Sequence, residues 1–150
     1  MDNWKIADDV IKFAIGEEQA ACDFYISLSE KTEDKVMRDI FLEFAGEELG
    51  HRKKLENVKA GNDFFSADKN ASDLKISDYL VDSDTASIEA YQDALLVAAN
   101  KEKAAFRLYT YLSEMVSDAD IKELFRVLAR EEALHKLRFE IAYDDLLEDN

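Results

Sequence analysis

Sliding the 150-residue chain along itself by 84 residues aligns 1–59 with 85–143 without a gap and gives 16 identities. Two copies of one structural unit are the simplest reading, and each copy must cover its apolar face with the other. The matches are chemically selective. Glu18 falls on Glu102, Ala21 on Ala105, Tyr25 on Tyr109, Glu48 on Glu132 and His51 on His135. The chain has two histidines, and both belong to this set.

Inside each copy the apolar residues recur at three- and four-residue steps. Ile11, Ala14, Ile15, Ala21, Cys22, Tyr25 and Leu28 do so in the first segment, and Val36, Ile40, Phe41, Phe44 and Leu55 in the second. That spacing predicts helices over about 5–30, 33–59, 86–115 and 119–146. There is no Pro to break them. Thr32 is expected to cap the second helix and Ser117 or Asp118 the fourth. Gly61 sits where the second should stop. From 61 to about 85 the chain turns polar, with anchors such as Phe64, Phe65, Leu74, Tyr79 and Leu80. A crossover of this length can run along a bundle and set helices 2 and 3 parallel. The expected architecture is all-α: one domain over 1–150, a four-helix bundle of two repeated hairpins (about 1–60 and 85–144) joined by the crossover at about 61–85. Trp4 is expected at one end of the core, and the acidic run from Asp144 to Asp149 at a frayed end.

Charge narrows the function. With 34 acidic against 19 basic residues the net charge is −15, which argues against nucleic acid and anionic membrane surfaces and suits cations. No apolar stretch is long enough to cross a bilayer and no signal peptide is visible, so a cytoplasmic protein is expected. One cysteine, Cys22, excludes a disulfide framework and a Cys-rich metal module.

The acidic residues that matter most are those on apolar faces. Glu48 and His51, three apart, share a helix face, as do Glu132 and His135. Glu18 and Glu102 lie on the apolar stripes of their own helices. Four carboxylates and two imidazoles inside a bundle need compensating positive charge. Two divalent cations would supply it. A mixed imidazole and carboxylate set suits iron or manganese, and also zinc.

One Glu from each of two helices, with Glu-x-x-His from each of the other two, resembles the ferritin-like di-iron carboxylate family. The chain looks like the four-helix domain of its rubrerythrin-type branch without the rubredoxin domain. The resemblance implies two iron ions, with Glu48 and Glu132 bridging, Glu18 and Glu102 terminal, and His51 and His135 each capping one metal. Tyr25 and Tyr109 are placed to donate to ligand carboxylates as outer partners. It implies a non-haem di-iron oxidoreductase reacting with H₂O₂ or O₂ in oxidative-stress defence, with a separate rubredoxin-like electron donor and a homodimeric assembly. The alternatives are a ferroxidase or iron-sequestering protein, with Fe(II) as substrate, and a di-manganese catalase-like site. Family peroxidases carry a further Glu three residues after the third-helix ligand; Ala105 stands there in this chain. The chain stops shortly after His135, so a closed ferritin shell is not expected. Glu17, Glu47 and Glu131 point about 100° away from the ligands and read as a solvated face, with an access route for iron as the alternative. Cys22 reads as core filler, with a redox thiol as the alternative.

Overall fold

The computed structural model describes residues 3–61, 79 and 91–148. Four helices follow one another: α1 (Asn3–Lys31), α2 (Lys35–Gly61), α3 (Tyr91–Met115) and α4 (Ala119–Glu148). Apart from Gly61 and Tyr79, the crossover at about 61–85 lies outside the described residues, as does the side chain of Trp4.

Two short turns make two hairpins: α1 packs on α2, and α3 on α4. The first turn corrects the expected cap. Asp34, not Thr32, caps α2, its Oδ1 accepting from the N–H groups of Val36 at 2.9 Å and Met37 at 3.3 Å. The helix starts at Lys35, so Thr32 is too early to reach those donors. Its hydroxyl oxygen instead accepts from Asp34 N–H at 3.3 Å, and its carbonyl accepts from Arg38 at 3.2 Å. At the second turn Asp118 is the cap, accepting from Asp120 and Ile121 at 2.9 and 3.0 Å.

The core falls into two apolar clusters. One draws on Ile11 and Ala14 of α1, Leu55 and Val58 of α2, Leu108 and Leu112 of α3, and Phe125 and Leu128 of α4. The other draws on Tyr25 and Leu28, Met37 and Phe41, Leu95 and Ala98, and Phe139. The first cluster thus takes the start of α1, the end of α2, the end of α3 and the start of α4. Hence α2 and α3 run parallel, the direction a long crossover requires. Cys22 is buried in the second cluster. Among the described residues no helix is long and apolar enough to cross a membrane.

Between the clusters lies a buried polar layer: Glu18, Glu48, His51, Glu102, Glu132 and His135 are all at most 4 % exposed. A helix of this length spans about 40 Å, and the layer sits near the middle of all four.

Asp34→Ala and Asp118→Ala should each destabilise the protein by about 1 kcal/mol, the usual worth of an N-cap, while Thr32→Ser should be near neutral. Chemical unfolding at fixed metal content checks this.

Candidate metal centre

Each helix brings its polar residue to the centre on the same face as its apolar stripe. On α2 and α4 the three-residue spacing stacks Glu over His, so one helix supplies two donors. On α1 and α3 a single Glu faces them.

The donor atoms form two overlapping groups. Glu18, Glu48, His51 and Glu132 each offer one atom, all within 4.8 Å of one another; so do Glu48, Glu102, Glu132 and His135. Glu48 and Glu132 belong to both. His51 Nδ1 lies 3.0 Å from Glu132 Oε1, 3.4 Å from Glu48 Oε1 and 3.5 Å from Glu18 Oε2. His135 Nδ1 lies 3.4 Å from Glu48 Oε1, 3.6 Å from Glu102 Oε1 and 3.8 Å from Glu132 Oε1.

These close approaches leave polar atoms unsatisfied. Glu18 Oε2, Glu48 Oε1, His51 Nδ1, Glu102 Oε2, Glu132 Oε1 and His135 Nδ1 are buried and without a hydrogen-bond partner. Native proteins leave only a few such atoms per hundred residues, and each calls for an explanation. Here every one of the six residues has one. A cation in each group would satisfy them, and the mixed oxygen and nitrogen donors suit a first-row transition metal. The two overlapping carboxylate/histidine clusters are consistent with a dimetal centre.

The atoms turned away from the centre are partnered, and the partners cross between hairpins. Tyr25 donates its hydroxyl to Glu102, and Tyr109 donates to Glu18. His135 Nε2 donates to Glu47 at 2.6 Å, and His51 Nε2 donates to Glu131. A carboxylate can only accept, so the hydrogen sits on Nε2 and Nδ1 is turned to the centre. The His135 ring also stacks on Phe44, centroids 3.9 Å apart.

This corrects the reading of Glu47 and Glu131 as part of a solvated face. Their side chains are 46 % and 40 % exposed, yet each reaches a histidine of the opposite repeat. A helical wheel places a residue relative to its own helix and says nothing of a neighbour's reach. The available signal was the repeat itself: the matched motif is Glu-Glu-x-x-His in both copies. Glu17 is half-buried and lines a small cavity beside the centre with Lys101, Ala21 and Ala105. Sequence reasoning passed over Lys101, although it breaks the repeat by standing opposite Glu17.

The protein without metal is a strained electrostatic object. Burial raises Glu48 and Glu132 above the usual carboxylate range, and the charges of Glu102 and Glu18 push the same way. Burial also opposes charge on the histidines, but the surrounding carboxylates outweigh it. Glu18 and Glu48 lift His51 to about 9, and Glu102 and Glu48 lift His135 to about 11. Burial, then the carboxylate each touches, raises Tyr25 and Tyr109 well above the ordinary phenol. They therefore stay donors.

A histidine whose folded pKa is raised stabilises the fold fully below its unfolded value, near 6.5, and ceases to as pH passes the folded value. The raised carboxylates act in the same direction. The melting temperature of metal-free protein should therefore fall between pH 6.5 and 9, and that of metal-loaded protein should fall much less. Calorimetry of both forms across that range checks the sign.

The sequence matches the Rubrerythrin family over residues 9–85 and 93–150. No curated protein matches it. Two solved structures share the fold. One is a hypothetical protein from Pyrococcus furiosus, 24% identical, with TM-score 0.71, covering 94% of this chain and 90% of that one. The other, from Thermotoga maritima, is described as a candidate ferritin-like diiron-carboxylate protein. It is 19% identical with TM-score 0.71, covering 91% of this chain and 93% of that one. With the fold ferritin-like and the match running over most of its length, the chain belongs to the Rubrerythrin family.

Proposed function

We propose that the protein is a non-haem di-iron oxidoreductase that reduces hydrogen peroxide or O₂ with electrons from a separate donor. The observation that carries this reading is the set of six buried, unpartnered donor atoms in two groups sharing Glu48 and Glu132. Glu48 and Glu132 would be common to both ions. Glu18 and His51 would complete one site, and Glu102 and His135 the other. When bound, two iron ions would supply two electrons, one each, which is what reduction of H₂O₂ to two waters requires along with two protons.

The chain's own residues would prepare that chemistry. Glu47 and Glu131 hold the histidines in the tautomer that presents Nδ1. Tyr25 and Tyr109 hold one oxygen of Glu102 and Glu18 and leave the other free. The two apolar clusters keep bulk water from both ends of the centre, where low polarity strengthens every electrostatic contact. A rubredoxin-like protein fits the role of donor, because the one cysteine of this chain, Cys22, is buried and cannot by itself hold a cysteine-ligated iron. Leu134, Leu137 and Ile141 form an exposed apolar stripe on α4, which supports a homodimer.

A second reading, iron oxidation for sequestration, draws on the surface charge of the chain, −15 in all. Stoichiometry separates the two. Anaerobic loading with Fe(II) followed by H₂O₂ or O₂ should give two irons per chain and a ferric absorption band that donor electrons bleach. Many irons per chain would favour sequestration, and retention of manganese in protein from its native source would favour a di-manganese site. A chain that binds no metal would refute all three.

Glu48→Ala and Glu132→Ala should lose both metals, whereas Glu18→Ala and Glu102→Ala should each lose mainly one. Glu47→Gln and Glu131→Gln should keep the fold but weaken metal affinity by roughly 10- to 100-fold, the usual effect of an outer carboxylate on a ligating histidine. Chelator competition and metal analysis measure both.

A further inference from the structure

The two repeats agree at every candidate ligand and disagree one residue before the first of them. Glu17 precedes Glu18, whereas Lys101 precedes Glu102. Both line one cavity of about 30 Å³ together with Glu18, Glu102 and Glu132. The histidines do not line it. Ala21 and Ala105 contribute only methyl groups to its wall, which leaves the space open.

Lys101 is buried, 8 % exposed, an unusual position for a lysine. Its Nζ lies over the ring of Phe24, 5.6 Å from the centroid, and it makes no ion pair or hydrogen bond among the described residues. Burial excludes a freely solvated side chain, and the contact with the Phe24 ring leaves the hydrogen-bond donors of the ammonium unused. With the four central carboxylates neutralised by two divalent cations, the half-buried Glu17 would remain as the charge that acts most on Lys101. Lys101 thus lines a cavity with room for one or two water-sized atoms, and its ammonium rests against Phe24 at the edge of that lining, from where a flexible side chain can turn in.

We propose that Lys101 is a positioning residue for a small monoanion, of hydroperoxide size, that enters the cavity beside Glu18, Glu102 and Glu132. Its ammonium donates a charge-assisted hydrogen bond to the anion's outer atom. The bond holds the anion against the carboxylate side of the centre, opposite the histidines. One face of an otherwise two-fold site is thereby assigned to the substrate. The assignment rests on the di-metal reading above and says in addition which charge of ligand the site takes.

Azide, a small monoanion at neutral pH, is the probe. Oxidised iron-loaded protein is titrated with azide at fixed ionic strength, with iron per chain measured in parallel. Lys101→Gln should keep two irons per chain and bind azide at least about tenfold more weakly, the loss of one charge-assisted hydrogen bond. Lys101→Arg, which keeps the charge and the donor, should restore most of the affinity. A structure of the azide-loaded, unsubstituted protein should place azide within hydrogen-bonding distance of Lys101 Nζ, and it decides the matter if Lys101→Gln fails to fold. Unchanged azide affinity in an iron-replete Lys101→Gln protein, or azide bound away from Lys101, overturns the proposal. Failure of the unsubstituted protein to hold two irons overturns the di-metal reading and this proposal with it, and the iron count tells the two failures apart.

Discussion

A layer of ionisable groups buried in the middle of an apolar bundle is what the rest of this structure answers to. Four carboxylates and two imidazoles sit between two hydrophobic clusters, in a layer almost closed to bulk solvent. Such a layer is costly unless every polar atom has a partner. The outer atoms of Glu18, Glu102, His51 and His135 have theirs in Tyr109, Tyr25, Glu131 and Glu47. The inner atoms do not, and their shared orientation is the reason a pair of cations fits.

The arrangement also accounts for the repeat. A single hairpin carries three of the four donors for one cation: Glu18, Glu48 and His51 on the first, Glu102, Glu132 and His135 on the second. The fourth comes from the other hairpin. Tyrosine and histidine partners cross the same boundary. Identical residues at positions 84 apart are therefore required by the geometry of a two-fold site, and departures from identity mark where the two-fold relation is broken. Glu17 against Lys101 is such a departure, at the cavity wall.

Much of this was legible in the sequence because it obeys local periodicity. Helix number, hairpin pairing and the inward position of Glu18, Glu48, His51, Glu102, Glu132 and His135 all follow from which residues share a helix face. What escaped depends on reach between helices. Glu47 and Glu131 lie off the inward face of their own helices and are partly exposed, yet a glutamate is long enough to meet a histidine on the neighbouring helix. Nor does spacing say that Tyr25 serves the glutamate of the other repeat rather than its own. Thr32 was misread as a cap because both Thr and Asp favour that position, and only the starting residue of the helix separates them. Lys101 was overlooked because a lysine in a helix is ordinary until its burial is known.

The split of donors between hairpins, three and one, would make each bound cation a cross-link between two halves of the chain. Whatever free energy metal binding releases is added to the docking of one hairpin on the other, because the undocked halves cannot offer the complete set. Occupancy and tertiary cohesion would rise and fall together, so coordination bonds would tie the two halves in a chain whose one cysteine leaves no internal disulfide to do it.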